Sequence, residues 1–201
     1  MNLPNKLTVA RLILVPFFVF FLLNFKPAHH YLYAGLLFGA AAITDHFDGK
    51  LARKNNQITN FGKFLDPIAD KVMVIAALVC FVQLGLTDAW FLILIVAREF
   101  LVTSLRLIAV DEGVVLAANN WGKAKTVSQI VAIVAILIFQ YIQELISLQI
   151  IPAAFVAGLG FNTTAVFTAA GNVLMVIATL LTVISGFVYL KDNAKLIDPS
   201  K

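Results

Sequence analysis

Cysteine and charge are both scarce in this sequence, and each shortage excludes a class of protein. Cys80 is the single cysteine among 201 residues, so neither a disulfide framework nor a thiolate metal site is available. Only 13% of the residues are charged, and the formal net charge of +4 indicates membrane topology rather than binding of nucleic acid. Periodic repeats and low-complexity tracts are also absent. We therefore expect residues 1–201 to form a single domain.

Hydrophobic residues, in contrast, make up 61% of the chain. They occur in runs long enough for a hydrocarbon core that takes about 20 helical residues. The runs lack strand-like alternation, and a backbone in lipid must satisfy its own hydrogen bonds, so the predicted fold class is all-α. We predict six membrane spans, at approximately Leu7–Phe25, Tyr31–Asp48, Phe64–Leu84, Ala89–Val110, Thr126–Ile146 and Phe167–Leu190. The first is expected to remain a span rather than a signal peptide, because no small-residue cleavage site follows it.

Basic residues predict the orientation of these spans. Fourteen of the fifteen lysines and arginines fall on the amino-terminal side of the membrane, and Lys26 alone falls on the other side. The positive-inside rule therefore places both termini, and the loops after the second and fourth spans, in the cytoplasm.

Two pairs of aspartates lie at the cytoplasmic ends of the second and third spans. Asp45 and Asp48 are three residues apart and Asp66 and Asp70 are four apart, so each pair shares one face of a helix. A solvated cap is the alternative for Asp66, since Asp66-Pro67 resembles a helix start, but it does not explain the other three. Confined carboxylates repel each other unless cations neutralise them, and oxygen ligands suit Mg²⁺, Mn²⁺ or Ca²⁺. The four aspartates therefore predict a cation site.

Residues beside the aspartates extend this prediction. Gly49 and Gly62 remove side chains where a ligand could approach the backbone, and Arg53 could face an anion. His46 and Lys71 each follow an aspartate by one residue, so their side chains point about 100° away from it on a helix. We expect a loop or packing role for His46 and a topological role for Lys71.

Four further cations form a second candidate set. Arg98 and Arg106 lie two turns apart on the fourth span and point to broadly the same side, while Lys123 and Lys125 open the fifth span. Together they could form a phosphate cradle. Positive-inside bias is the alternative for Arg106 and the two lysines, and an ion pair with Glu99 is the alternative for Arg98.

Three other features carry weaker expectations. Gly35 and Gly39 on the second span allow close helix approach, with packing inside the bundle favoured over a dimer contact. His29 and His30 are expected to be solvated or interfacial. Residues 143–164 are expected to lie along the outer membrane surface or to re-enter it.

Eight residues of the aspartate region resemble the signature of the CDP-alcohol phosphatidyltransferase family. They are Asp45, Asp48, Gly49, Ala52, Arg53, Gly62, Asp66 and Asp70. The resemblance implies six membrane helices around a cytoplasm-facing cavity, with two divalent cations, Mg²⁺ or Mn²⁺, bound by the four aspartates and Asp70 as the general base. It also implies transfer of a phosphatidyl group from CDP-diacylglycerol to a hydroxyl, with CMP leaving. A homodimer in the bacterial inner (cytoplasmic) membrane is implied as well.

Three other segments are similar to the family members whose acceptor is sn-glycerol 3-phosphate. These segments are Asn2–Arg11, Arg98–Arg106 and Ala117–Thr126. By this resemblance, Asn5, Thr8 and Arg11 help to bind the CDP part, from an amphipathic amino-terminal segment at the cytoplasmic interface. The expected partners are CDP-diacylglycerol, glycerol 3-phosphate and membrane lipids, with no nucleic acid.

Two alternatives remain open from the residues alone. The same chemistry could use another acceptor, namely phosphatidylglycerol, inositol phosphate or serine. A divalent-cation transporter is the second alternative. It would need polar residues near the membrane midplane, whereas spans two and three are apolar away from their cytoplasmic ends.

Overall fold

The computed structural model describes residues 2–54, 60–114, 116, 119–152, 158, 160 and 162–194, with the backbone alone at 3, 4, 45–54, 60, 61, 63, 64 and 66. These ranges contain six long helices and no strand, which confirms the all-α class. The helices are α1 (Leu3–Val19), α2 (His30–Lys54), α3 (Asn60–Gln83), α4 (Ala89–Asp111), α5 (Asn120–Ser147) and α6 (Thr163–Asp192). A π-helical turn, Phe20–Asn24, continues α1.

Asparagine caps explain why two helices begin earlier than their apolar runs. The side-chain oxygen of Asn119 accepts the backbone N–H of Gly122 at 2.8 Å, and that of Asn162 accepts the N–H of Ala165 at 3.2 Å. These bonds satisfy N–H groups that have no partner within the helix. Helices α5 and α6 therefore begin at the caps, whereas the predicted bounds followed the start of the apolar sequence.

Glycines end two helices in the left-handed region of backbone space. Gly85 has φ +69° after α3, and Gly113 has φ +73° after α4. The N–H of Leu86 donates to the carbonyl of Phe81 at 2.8 Å, the bond that closes such a helix end. A side chain at either position would strain this turn.

The amino-terminal segment differs from its prediction. Residues 3–24 form one uninterrupted helical stretch, and Asn5–Asn24 is long and apolar enough to cross a membrane. The helical stretch continues through Pro16 and into the π-helical turn, so residues 3–24 contain no separate interfacial segment. Asn5, Thr8 and Arg11 are instead buried against the other helices.

Three of the six helices meet the length and composition that a membrane span requires. They are Asn5–Asn24, Asn120–Ser147 and Thr163–Asp192. In α2, the stretch His30–Thr44 is apolar but shorter. Helices α3 and α4 are long enough but carry several charged residues each, which lowers their apolar character. These three long apolar helices indicate that the chain is a membrane protein.

The helices pack in a pattern that leaves α1 between α2 and α3. Helix α5 lies against α6 and α2, and α6 also contacts α4. Phe18, Phe38, Phe81, Ile133 and Met175 are among the fully buried side chains of the shared core. Many large apolar side chains remain exposed on the outside, as expected where lipid replaces water.

Gly35 and Gly39 of α2 were expected to allow close packing against another helix of the bundle. A Cβ added to Gly35 or Gly39 would meet no atom within 4 Å among the described residues outside its own helix. Close packing of these glycines against another described helix is therefore wrong, because such packing would place atoms of that helix near the missing Cβ.

A buried carboxylate joins α5 to the first turn of α2. Glu144 accepts the backbone N–H groups of His30 at 3.1 Å and Tyr31 at 3.4 Å, and its Oε1 lies 2.8 Å from His30 Nδ1. His29 Nδ1 lies 3.2 Å from the Tyr141 hydroxyl. Of the two predicted roles, the solvated one is wrong for His30, because its side chain is 14% exposed and lies against Glu144, which also satisfies the N–H groups at this helix start.

Candidate functional site

A cavity of about 180 Å³ lies among helices α1 to α5. Its apolar wall includes Phe38, Ile95 and Ile130. The charged and polar side chains that line it are Arg11, Asp70, Lys71, Glu99, Lys125, Thr126 and Gln129. Charge is scarce in this chain, so the meeting of five charged side chains from four helices marks the cavity as the candidate site.

The four aspartates lie at similar distances from the helix ends that flank residues 55–59. Asp48 lies six residues before the end of α2 and Asp66 six residues after the start of α3, about 9 Å along each axis. Asp45 and Asp70 lie nine and ten residues from the same ends, at about 14 and 15 Å. Asp70 is exposed and lines the cavity, whereas the side chains of the other three aspartates lie outside the described part of the chain.

The residues predicted to contact CDP-diacylglycerol divide between two regions. Gly49, Ala52 and Arg53 occupy the last turns of α2, where the side chains are not among those described, and Gly62 is buried in the first turn of α3. On α1, the three predicted contacts Asn5, Thr8 and Arg11 are all buried. Arg11 is 3% exposed and also lines the cavity, so α1 and α3 meet there.

One of the four predicted phosphate-binding cations reaches the described wall of the cavity. Lys125 is buried, lines the cavity and contacts Glu99 Oε1 through its Nζ. Arg98 places Nη1 3.3 Å from the same Glu99 oxygen and donates from Nη2 to Ser185 Oγ at 2.7 Å. The ion pair with Glu99, the alternative role of Arg98, is therefore present.

Arg106 and Lys123 lie apart from Lys125. Both are exposed, and neither is among the residues found to line the cavity. Arg106 donates from Nε to the Tyr189 hydroxyl at 3.4 Å, and its guanidinium lies 6.0 Å from the centre of that ring. The four cations thus do not converge on one point in this structure.

Lys71 is a cavity residue that sequence reasoning missed. Its Nζ donates to Thr103 Oγ1 at 2.7 Å, and Thr103 Oγ1 donates in turn to the Glu99 carbonyl at 2.6 Å. The i,i+4 spacing of Glu99 and Thr103 is visible in the sequence. The contact from α3 is not, because it joins residues 32 positions apart.

Helix α6 approaches α4 closely at a glycine. A Cβ built on Gly186 would lie 2.9 Å from Arg98 Cγ, closer than real contacts allow. The clash involves the inner part of the Arg98 side chain, which cannot move without moving the guanidinium held by Glu99 and Ser185. Gly186 therefore keeps Arg98 in its observed position.

We predict that Gly186→Ala will destabilise the protein by about 1–3 kcal/mol, the usual cost of an overpacked contact. Gly171→Ala on the same helix is the matched comparison, because the nearest atom to a Cβ there, Ile136 Cγ1, is 3.3 Å away and leaves more room, and alanine favours helix. Thermal unfolding of the detergent-solubilised variants measures the difference. Equal midpoints for the two variants would contradict the close approach.

The predicted donor set would suit a hard divalent cation. Carboxylate oxygen is the donor in all four aspartates, and Asp70 presents its carboxylate to a cavity with cations nearby. No cluster of three or more histidine, cysteine or acidic side chains occurs among the described side chains, which include only Asp70 of the four.

Comparison with known proteins agrees with the signature in α2 and α3. The model of the CDP-alcohol phosphatidyltransferase family matches residues 1–184. A CDP-diacylglycerol–glycerol-3-phosphate 3-phosphatidyltransferase from Bacillus subtilis is 40% identical, covering 96% of this chain and 95% of the relative. The enzyme of that name from Rickettsia bellii is 35% identical over 96% of each chain. A probable phosphatidylglycerophosphate synthase from Mycobacterium tuberculosis is 45% identical over 66% of this chain and 64% of the relative. The chain therefore belongs to the CDP-alcohol phosphatidyltransferase family.

Proposed function

We propose that this protein transfers the phosphatidyl group of CDP-diacylglycerol to the 1-hydroxyl of sn-glycerol 3-phosphate, giving phosphatidylglycerophosphate and CMP. The observation that carries the proposal is that Asp70 and Lys125 line one cavity. A carboxylate that can accept a proton and a cation that can bind a phosphate are the two groups that this acceptor requires. The names of the relatives from Bacillus subtilis and Rickettsia bellii support the same substrates.

Two divalent cations, Mg²⁺ or Mn²⁺, would be held by Asp45, Asp48, Asp66 and Asp70. Bound there, they would supply neutralisation of the charge that develops as the bond to CMP breaks. The similar distances of the aspartates from the neighbouring ends of α2 and α3 and the all-oxygen donor set support this role.

Asp70 is the general base of the proposed reaction. Its carboxylate accepts the proton of the acceptor 1-hydroxyl as that oxygen attacks the β-phosphorus of CDP-diacylglycerol. The phosphorus–oxygen bond to CMP breaks, and CMP carries the electron pair away. A direct displacement needs no nucleophilic side chain.

The other substrate contacts follow from the walls of the cavity. Arg11 brings a buried cation from α1 towards the place proposed for the CDP part, with Asn5 and Thr8 on the same helix. Gly49, Ala52, Arg53 and Gly62 complete that set by resemblance. At the other wall, Lys125 binds the acceptor phosphate, with Arg98, Arg106 and Lys123 as the further proposed contacts.

The membrane arrangement belongs to the same proposal. Residues 1–201 form one domain with six spans, and both termini and the cavity face the cytoplasm of a bacterial inner membrane. The charged residues of α3 and α4 that reduce their apolar character include Asp70, Lys71, Glu99 and Arg98, which lie at the cavity or beside it instead of facing lipid. A Cβ at Gly35 or Gly39 would meet no described atom within 4 Å, and this room supports a homodimer contact.

An acceptor panel tests the function. The purified protein is incubated with CDP-diacylglycerol, Mg²⁺ or Mn²⁺, and one acceptor at a time, and CMP release is measured. We expect glycerol 3-phosphate to support the highest turnover. Phosphatidylglycerol and serine, which lack a phosphomonoester dianion, should support about a hundred times less, as for one unmatched charged contact. Inositol phosphate carries that dianion, so discrimination against it must come from the larger size of its ring. Preference for another acceptor would contradict the substrate assignment. Divalent-cation flux into vesicles without CMP release would indicate a transporter.

A further inference from the structure

We propose that Glu99 is a positioning residue for the acceptor, which holds Lys125 and Arg98 at the cavity wall. The inference rests on the proposed function, because it concerns the cations that would bind the acceptor phosphate. In this arrangement Glu99 touches neither substrate and acts through the two cations.

Both cations meet at one oxygen atom of Glu99. Its Oε1 contacts Lys125 Nζ and lies 3.3 Å from Arg98 Nη1. The Glu99 side chain is 12% exposed and lines the cavity beside Lys125. The second terminal nitrogen of the Arg98 guanidinium, Nη2, donates to Ser185 Oγ on α6. The carboxylate is therefore shared by a lysine from α5 and an arginine from its own helix.

A carboxylate beside a site for a phosphate dianion needs a reason, because the two anions repel each other. The reason lies in the surroundings of Lys125, which is buried and is repelled by Arg98 and Lys71. A buried ammonium among like charges is stable only with a counter-ion. Glu99 supplies it and so favours the charged form of Lys125 beside Arg98.

A chain of two hydrogen bonds connects the Glu99 backbone, through Thr103 of the same helix, to α3. Its carbonyl accepts the hydroxyl of Thr103, and that hydroxyl accepts a hydrogen bond from Lys71 of α3. Helices α3, α4 and α5 are thus joined around Glu99 before any substrate arrives. Cations that are already ordered lose little conformational freedom when they bind a phosphate, which lowers the concentration of acceptor needed.

Steady-state kinetics of Glu99→Gln in the full chain test this role. The substitution keeps the shape of the side chain and removes its charge. We expect the KM for glycerol 3-phosphate to rise about tenfold, as for one charge-assisted contact, with kcat and the KM for CDP-diacylglycerol within about twofold of wild type. Glu99→Asp keeps the charge on a shorter side chain, so its KM for glycerol 3-phosphate should lie between those of wild type and Glu99→Gln. Glu112→Gln, on an exposed residue just after α4, is the matched control.

A double-mutant cycle shows whether Glu99 acts through Lys125. In a Lys125→Gln background, Glu99→Gln should raise the acceptor KM by less than about twofold further, because residues in contact are not additive. A tenfold rise in that background would overturn the inference. Lower thermal stability of Glu99→Gln with an unchanged acceptor KM would overturn it too, by leaving only a structural ion pair. These results refute the role of Glu99 alone, whereas a wild-type protein inactive with glycerol 3-phosphate would refute the proposed function as well.

Discussion

Asp70→Asn should lower turnover by about a hundred- to ten-thousand-fold, the usual cost of losing a general base. Asparagine keeps the size of the side chain and one oxygen that can bind a cation, but it cannot accept a proton at neutral pH. The KM for CDP-diacylglycerol should change much less than kcat. Initial rates of CMP release at saturating glycerol 3-phosphate measure the effect.

Asp45→Asn and Asp48→Asn provide the contrast, because these residues are proposed as cation ligands without a role in proton transfer. Their rates should recover in part when Mg²⁺ or Mn²⁺ is raised, whereas the Asp70→Asn rate should not. Turnover is measured against metal concentration for each variant. If raised metal concentration restores the full rate of Asp70→Asn, Asp70 is only a cation ligand and not the general base. If none of the four aspartates affects rate or metal dependence, the phosphatidyltransferase proposal is wrong.

Lys125→Ala should raise the KM for glycerol 3-phosphate about ten- to a hundred-and-fifty-fold, which corresponds to a contact worth about 1.5–3 kcal/mol. The KM for CDP-diacylglycerol should change far less, because that substrate loses no proposed contact. Lys125 is the expected centre of the acceptor site, since it is the predicted cation found in the described lining of the cavity.

Lys123→Ala is the natural comparison, since it removes the same charge from the same helix. Lys123 is exposed and lies two residues away, about 200° around the helix axis from Lys125. Its effect on the acceptor KM should therefore be smaller than that of Lys125→Ala. Equal effects would indicate bulk electrostatic attraction, and equal changes in both substrates' KM values would contradict the acceptor assignment.

Much of the helical architecture could be predicted because it depends on local sequence. Apolar runs located all six long helices, and α4, predicted at Ala89–Val110, ends one residue later at Asp111. The starts of α5 and α6 were placed six and four residues late, because a cap lies outside the apolar run that it precedes. The apolar run reports the environment of the side chains, whereas the helix bounds depend on backbone hydrogen bonds.

The candidate site was predictable where residues near in sequence act together. The adjacent Arg98 and Glu99 are an example. Contacts between distant residues were not predictable, as Lys71 with Thr103 and Glu144 with His30 show. Each pairs side chains from different helices, and helix periodicity gives no information about which faces meet.

The close approach at Gly186 has a consequence for how sequences of this kind can diverge. The space that a side chain at position 186 would need is filled by Arg98. A larger residue at 186 therefore becomes tolerable only when position 98 becomes smaller. Substitutions at the two positions should be correlated in evolution, and an engineer who exchanges α6 between related proteins should transfer residue 98 together with it.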